Sequence, residues 1–154
     1  MLIVFDLDGT LADCSHRQKY VNGELGKKDW KTFFSLIPYD SPIDPIRQIL
    51  DLFYSQFKSI GGKTNTALIC TARPSDYLSP TVQWLAYHRI RYDKIYFRKS
   101  GDHRDDTIVK KEMLNQIIKD YGKKPDLVFD DRKQVVDMWR ENGIQCCQVA
   151  PGEF

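Results

Sequence analysis

Four aspartates follow two apolar runs of this sequence, Asp6 and Asp8 after the first and Asp130 and Asp131 after the second. Both runs are typical of buried strands. Because parallel strands present ligand-binding groups beyond their carboxyl ends, we expect the four carboxylates to converge on one crevice. There they would repel each other and raise each other's pKa values. Mg²⁺, a hard cation that takes oxygen ligands, would relieve this repulsion and suits a site that also binds phosphate.

Further polar side chains suit the cleavage of a phosphate ester. Thr71 and Arg73 follow another apolar run, and Lys110 lies on the helix predicted before Asp130. Hydroxyl and cationic groups can hold phosphoryl oxygens. A carboxylate can attack phosphorus, and a second carboxyl two residues on can act as general acid and base. Each residue alone has an ordinary structural interpretation, such as a turn, a helix cap or a surface lysine. The joint arrangement is what favours phosphate chemistry.

Strands and helices alternate along the chain, which is typical of an α/β fold with a mostly parallel sheet. We predict five strands, at 2–6, 66–71, 93–97, 126–130 and 144–149. We predict helices that run from Ser41-Pro42 to Gly61-Gly62, from Ser79-Pro80 to His88, from Thr107 to Asp120 and from Arg132 to Asn142. Residues 11–40 are polar with scattered aromatic side chains, and we predict a short insertion there with a helix around Trp30–Leu36.

Length and composition predict one soluble domain over residues 1–154. The 42% hydrophobic and 29% charged content argues against disorder, and no apolar run is long enough to cross a membrane. The first apolar run meets Asp6 at once, so we expect no secretory signal. Four cysteines without CxxC spacing favour reduced thiols over disulfides or a zinc site. We therefore expect a cytoplasmic protein.

Positive charge is concentrated between residues 88 and 104. This segment has six cations and two anions, in a chain whose formal net charge is +2. The cations are Arg89, Arg91, Lys94, Arg98, Lys99 and Arg104. Such a stretch suggests an anionic partner such as nucleic acid, although a solvated surface gives the same composition.

The residues Asp6-Leu7-Asp8-Gly9-Thr10 resemble the first motif of the haloacid dehalogenase-like (HAD) superfamily of phosphotransferases. Thr71, Lys110 and the Asp130-Asp131 pair match its second, third and fourth motifs in order. The resemblance covers most of the chain. It implies an HAD-like three-layer α/β sandwich with a five-stranded sheet, in which residues 11–40 form only a small cap-like insertion.

The same resemblance implies a role for each matching residue. Asp6 would be the nucleophile that forms an aspartyl-phosphate, and Asp8 would be the general acid and base. Thr71 and Lys110 would hold the phosphoryl group. Mg²⁺ would be bound by Asp6, the backbone carbonyl of Asp8 and the pair Asp130 and Asp131, with the direct ligand of that pair left open.

A narrower resemblance concerns the stretches Gly101-Asp102-His103-Arg104 to Lys110 and Asp130-Asp131-Arg132 to Ala150. They are similar to the phosphatase half of phage-type polynucleotide kinase/3′-phosphatase. Three arginines and one acidic residue serve the active site in that family, and they fall on Arg17, Arg73, Arg98 and Asp106. Arg17 and Arg98 could instead be surface charges, and Asp106 could cap the helix predicted from Thr107. This chain has Thr71-Ala72-Arg73 where the phage enzymes have Ser-Gly-Arg, which preserves the hydroxyl and the cation.

The two resemblances imply an Mg²⁺-dependent polynucleotide 3′-phosphatase that acts on DNA or RNA ends. Gly62-Lys63-Thr64 mimics the end of a phosphate-binding loop, but Phe57 stands where that motif needs its first glycine, so we interpret it as a turn. We therefore expect a free-standing phosphatase, with any kinase or ligase supplied as a separate partner.

Two other functions stay open. The chain could be a small-molecule phosphatase or nucleotidase of the same superfamily, or a catalytically silent module that binds nucleic-acid ends. Retention of every motif residue argues against the silent module. The aromatic side chains Trp30, Phe33 and Phe34 could stack on a base, although core packing is the commoner role.

Overall fold

The computed structural model of the protein describes residues 1–57 and 65–152. Its strands are β1 (Leu2–Phe5), β2 (Ala12–Asp13), β3 (Ser41–Pro42), β4 (Thr66–Pro74), β5 (Lys94–Arg98), β6 (Leu127–Arg132) and β7 (Cys146–Gly152). Its helices are α1 (Ser15–Gln18), α2 (Trp30–Ser35), α3 (Asp44–Phe57), α4 (Leu78–Tyr87), α5 (Asp106–Tyr121) and α6 (Lys133–Glu141). Five strands form one sheet in the order β5-β4-β1-β6-β7, and every neighbouring pair is parallel.

Helices cover both faces of the sheet, as the side-chain alternation along β1 requires. Leu2 and Val4 pack on one face with apolar residues of α5 and α6. Ile3 and Phe5 pack on the other face with residues of α3, α4 and the segment 11–40. Phe5 stacks on Phe129 of the adjacent β6, with ring centroids 4.9 Å apart. This arrangement confirms the predicted three-layer α/β fold.

The five predicted sheet strands are present, with shifted bounds: the strand predicted at 144–149 is Cys146–Gly152, the strand predicted at 93–97 is Lys94–Arg98, and two others continue into polar residues. β4 extends to Pro74 and β6 to Arg132, each with an irregular register near its carboxyl end. The predicted start of a helix at Arg132 is therefore one residue early. Because polar residues close both strands, hydrophobic pattern alone does not show that the backbone pairing continues through them.

Two helix starts predicted from Ser-Pro pairs are wrong by a few residues. Pro42 lies in β3, paired with Ala12, and α3 begins only at Asp44. Pro80 is the third residue of α4, which begins at Leu78 after a 3₁₀ turn at Ser75–Tyr77. Proline is tolerated throughout the first helical turn, where no backbone N–H is needed, so it marks a helix start only approximately. The predicted helix end at Gly61-Gly62 and the predicted turn at Gly62-Lys63-Thr64 lie outside the described residues.

Residues 11–40 pack against the core. The predicted helix around Trp30–Leu36 is α2, and its first turn is capped by Asp29, whose carboxylate accepts hydrogen bonds from the backbone N–H and the hydroxyl of Thr32. Buried apolar side chains of this segment join the cluster beside α3 and α4; they are Leu11, Ala12, Val21, Phe33, Phe34 and Ile37. The two ends of the segment are therefore anchored to the core, whereas residues 22–31 are exposed.

Within residues 1–57 and 65–152, no helix is long and apolar enough to span a membrane. All four cysteines are free thiols, as predicted; Cys147 is exposed, and Cys14, Cys70 and Cys146 are buried.

Candidate active site

A cleft of about 690 Å³ opens at the carboxyl end of the sheet. It is lined by the strand ends, the segment 102–106 and residues of the insertion, among them Trp30. The predicted site residues that line it are Asp6, Asp8, Thr71, Arg73, Arg98, Asp106, Lys110, Asp130 and Asp131. Arg17 is fully buried behind Asp8.

Three carboxylates meet at the floor of the cleft. Asp6, Asp130 and Asp131 each place an oxygen within 4.8 Å of the others. Strand pairing brings them together, because the backbone N–H of Asp6 donates to the carbonyl of Phe129 (2.9 Å), directly before the aspartate pair. The hydroxyl of Thr10 donates to Asp131 (3.3 Å). Two residues of the first motif and the aspartate pair of the fourth therefore form one compact group; they are Asp6, Thr10, Asp130 and Asp131.

Gly9 leaves the space that Asp131 occupies. Its φ of +84° lies in the left-handed region, and a Cβ atom there would stand 2.2 Å from Oδ2 of Asp131. Any other residue at this position would have to displace that carboxylate. The glycine of the first motif is therefore needed both for the turn and for the close approach of the fourth motif.

The carboxylate cluster is short of positive charge. Burial raises the pKa of Asp6 well above its usual 3.8; Lys110 opposes this, and the charges of Asp130 and Asp131 add to it. Burial, followed by the charge of Asp130, raises the pKa of Asp131 to about 6. Three carboxylate oxygens in a space kept open by glycine are a donor set that fits a hard divalent cation such as Mg²⁺.

Lys110 is the cation inside this cluster. Its buried ammonium donates to Asp6, to the carbonyl of Cys70 (2.7 Å) and to Asp130 (3.3 Å). Burial alone would lower the pKa of Lys110, but Asp130 and Asp6 raise it, so the side chain is charged. Thr71 is buried within β4, three residues before the strand ends, and its hydroxyl accepts a hydrogen bond from the backbone N–H of Arg73 (3.1 Å). That geometry leaves the hydroxyl proton of Thr71 for another acceptor.

Asp8 belongs to a second group, in which arginines and not carboxylates are the main charged neighbours of its side chain. Its carboxylate accepts from Arg17 (2.6 Å) and Arg73 (2.5 Å). Burial alone would raise the pKa of Asp8, but Arg73 and Arg17 lower it to about 2. The alternative that Arg17 is a surface charge is wrong, because it is fully buried. The two aspartates of the first motif thus have opposite environments.

Asp40, which the sequence analysis missed, holds the two arginines in place. Its buried carboxylate accepts from Nε of Arg17 (2.6 Å) and from Nη2 of Arg73 (2.9 Å). Its backbone carbonyl accepts from Trp84 (2.7 Å). Asp40 is the last residue of the insertion and lies far in sequence from the apolar runs that end at Asp6 and Asp130. No spacing pattern in the sequence therefore identified it as a site residue. Only the folded insertion brings it to Arg73.

Asp106 joins two arginines on another wall of the cleft. It accepts from Arg98 and from Arg132, a cleft residue that the sequence analysis did not single out. Arg98 also donates to the carbonyls of Ala72 (2.9 Å) and Arg104 (2.7 Å), and it is 8% exposed, so it is no surface charge. The alternative that Asp106 caps α5 is wrong.

Asp105 provides that cap instead. Its carboxylate accepts from the backbone N–H of Thr107 (3.0 Å). The cap residue precedes the first helical residue, and α5 begins one residue earlier than predicted, which leaves Asp106 in the first turn, where it pairs with the arginines.

The cationic stretch at 88–104 does not form one continuous surface. Arg91 and Lys94 lie at the amino end of β5, where Arg91 faces Asp51 (3.9 Å) and Lys94 pairs with Asp120 (2.6 Å). Arg98 lies at the other end of β5, about 13 Å away for a strand of this length. The cleft therefore receives only the carboxyl-terminal part of the predicted charge.

Comparison with known proteins gives a family match over the whole chain. The family model for the polynucleotide kinase PNKP phosphatase domain matches residues 1–154. A chain in a structure of the Pnkp1/Rnl/Hen1 RNA repair complex is 30% identical with a TM-score of 0.80; the match covers 99% of this chain and 43% of that one. A second structure of the Pnkp1/Rnl/Hen1 complex gives 32% identity, a TM-score of 0.77 and coverages of 99% and 47%.

The chain thus spans less than half of the length of these two relatives. A hydrolase from Streptococcus pneumoniae TIGR4 is only 12% identical but superposes with a TM-score of 0.62, covering 96% of this chain and 91% of that one. This more distant likeness shows the fold alone.

The Asp40 carboxylate provides a test of the arginine network. Asp40→Asn leaves Arg17 and Arg73 buried with less negative charge, so we expect the free energy of unfolding to fall by about 3–5 kcal/mol. Asp137→Asn, which removes an exposed i,i+4 pair with Lys133, should change it by no more than about 0.5 kcal/mol. Urea denaturation measures both, and equal small losses would contradict a structural role for Asp40.

Proposed function

Because the chain belongs to the family of polynucleotide kinase PNKP phosphatase domains, and is thus an HAD-type phosphatase, we propose that it is a polynucleotide 3′-phosphatase. It would remove the terminal 3′-phosphate from DNA or RNA ends through an aspartyl-phosphate. The observation that supports this proposal is the group of Asp6, Lys110 and the Asp130-Asp131 pair at the floor of a cleft of about 690 Å³. That volume exceeds what a phosphate group alone requires.

Asp6 is the nucleophile in this proposal. One of its carboxylate oxygens forms a bond to phosphorus, while the bond from phosphorus to the 3′-oxygen breaks and its electron pair stays on that oxygen. Lys110 and the hydroxyl of Thr71 hold the phosphoryl oxygens as charge develops on them. Water then attacks the aspartyl-phosphate, which releases inorganic phosphate and restores Asp6.

Asp8 moves the protons in both steps. With a pKa of about 2 it is ionised in the free protein, the form that takes a proton from the attacking water. A bound phosphate dianion adds negative charge beside Asp8, and a neighbouring like charge raises a carboxyl pKa. The bound substrate would therefore enable Asp8 to take up a proton from solvent and pass it to the leaving 3′-oxygen, after which the ionised Asp8 takes a proton from the attacking water.

Asp6, Asp130 and Asp131, with the backbone carbonyl of Asp8, would hold Mg²⁺. The bound cation would offset the negative charge of the carboxylates and of the substrate phosphate. Arg98 makes its hydrogen bonds to protein acceptors, so we propose that it and Asp106 shape the cleft wall, whereas Arg73 lines the cleft beside Asp8.

The relatives point to a cellular context. The two similar chains are in structures of Pnkp1/Rnl/Hen1 complexes, one of them named as an RNA repair complex. We propose by analogy that this chain prepares nucleic-acid ends for a ligase, with a kinase as a further partner. Removal of a 3′-phosphate leaves the 3′-hydroxyl that end joining requires.

The decisive experiment compares substrates with and without Mg²⁺. Phosphate release is measured from 3′-phosphorylated DNA and RNA oligonucleotides, a 3′-mononucleotide and an aryl phosphate. We expect Mg²⁺-dependent release with the highest kcat/KM on oligonucleotides, falling as salt screens the phosphate backbone. Preference for the mononucleotide that salt does not change would favour the small-molecule phosphatase. Binding of oligonucleotides without any release would favour the silent module.

Asp6→Asn tests the nucleophile. An amide oxygen attacks phosphorus poorly, so we expect turnover below roughly a thousandth of wild type. Acid quenching with a labelled 3′-phosphate should trap label on the wild-type chain and none on the variant. Circular dichroism controls for folding. Substantial turnover by the variant, or label on both chains, would show that Asp6 is not the nucleophile.

Gly9→Ala tests the space beside Asp131, with Gly122→Ala as its matched control. Both glycines have left-handed φ angles, +84° and +69°, but a Cβ at Gly122 would meet nothing within 4 Å. Both variants should suffer similar backbone strain of about 1–2 kcal/mol. Only Gly9→Ala should raise the Mg²⁺ concentration needed for half-maximal phosphate release, by about tenfold or more. The same Mg²⁺ requirement in both variants would contradict the proposed cation site.

A further inference from the structure

We propose that Trp30 is a stacking platform for a base of the 3′-terminal dinucleotide of the substrate, with Lys28 beside it to meet a backbone phosphate. This inference rests on the proposed function and adds how the cleft recognises a nucleic-acid end rather than a phosphate alone. It concerns the cleft wall opposite the strand ends, which none of the proposed catalytic steps uses.

Exposure distinguishes Trp30 from the other two tryptophans and from the two phenylalanines of α2. It is 50% exposed and lines the cleft, whereas Trp84 (2%) and Trp139 (0%) are buried. Phe33 (5%) and Phe34 (8%) are buried too, which assigns them to core packing. Of the three aromatic residues on α2, Trp30 is the one with a surface that a base could cover.

The ring of Trp30 is held in place from behind. It lies edge-on to Phe33, with centroids 5.7 Å apart, and nearly parallel to Phe34 at 5.9 Å. Phe34 in turn packs on Tyr77, at 4.7 Å, which ties α2 to the turn after β4. A ring fixed in advance loses little conformational entropy when it stacks, which favours binding.

Charge at the same wall suits a polynucleotide. The ammonium of Lys28 lies over the Trp30 ring, 5.8 Å from its centroid, and the exposed side chain also lines the cleft, so a stacking base would take the place of the ammonium on the ring. Aromatic rings that alternate with cations are the usual means of holding single-stranded nucleic acid, because the ring takes any base and the cation takes the backbone.

The first test measures base dependence. The substrates are a 3′-phosphorylated oligonucleotide and the same oligonucleotide with its last two nucleotides abasic. Base–aromatic stacking of the usual strength gives the wild type a preference for the base-bearing substrate. Trp30→Ala should reduce the ratio of kcat/KM on the base-bearing oligonucleotide to kcat/KM on the abasic one by about tenfold. Trp30→Phe, which keeps an aromatic face, should recover most of the ratio. Tyr87→Ala removes an aromatic residue that is 82% exposed outside the cleft and should leave the ratio unchanged.

The second test uses the tryptophan itself as the probe. In the Asp6→Asn background, which holds substrate without turnover, the base-bearing oligonucleotide should quench tryptophan emission. The abasic oligonucleotide should quench it much less. Adding Trp30→Phe should abolish the difference in quenching between the two oligonucleotides, because Trp84 and Trp139 are buried and Trp139, which donates to Asp130 at the cleft floor (3.4 Å), responds to the shared phosphate and not to the base.

The outcomes separate the two proposals. If the wild type releases no phosphate from any oligonucleotide, the proposed function fails. If the wild type is active but Trp30→Ala leaves the base-to-abasic ratio unchanged, or the base-dependent part of the quenching survives Trp30→Phe, the stacking platform alone is overturned.

Discussion

The candidate active site depends on three carboxylates that are buried side by side. Asp6, Asp130 and Asp131 lie within 4.8 Å of each other, and Lys110 is the cation inside their group. Parallel pairing of β1 with β6 brings them together, and a residue without a side chain at Gly9 leaves room for Asp131. Mutual repulsion makes this arrangement costly by itself. Buried carboxylates that repel each other attract a divalent cation. The positive charge of that cation would then allow an anionic ligand to bind.

The two aspartates of the first motif lie two residues apart in opposite electrostatic environments. Burial and neighbouring carboxylates raise the pKa of Asp6, whereas Arg73 and Arg17 overcome burial and lower the pKa of Asp8 to about 2. Titratable groups whose environments drive their pKa values apart are typical of sites that divide chemical labour between them. Here the division arises because β1 ends between two clusters, one acidic and one rich in arginine.

Hydrophobic runs and their closing residues were enough to predict the strands, the parallel α/β fold and the convergence of Asp6 with Thr71 and the aspartate pair, whereas the three layers and the place of Lys110 were implied by the family resemblance. The convergence follows from the rule that parallel strands end at one edge of a sheet. The contacts that the insertion makes with the strand ends could not be predicted from this rule. Asp40 reaches Arg73 only after residues 11–40 have folded. Arg91 and Lys94 are separated from Arg98 by the length of β5. Local pattern carries no information about either distance.

The bridge from Asp40 to Arg17 and Arg73 makes the insertion and the sheet chemically interdependent. A chimaera that exchanged residues 11–40 for the larger lid of another phosphatase would discard Arg17 and Asp40 together. Arg73 would then remain on β4 with Asp8 as its carboxylate partner from this network. Modular evolution of lids on this scaffold is therefore constrained: an incoming segment has to bring an acid and a base together or neither, because one alone would leave an unmatched charge beside Arg73 and Asp8.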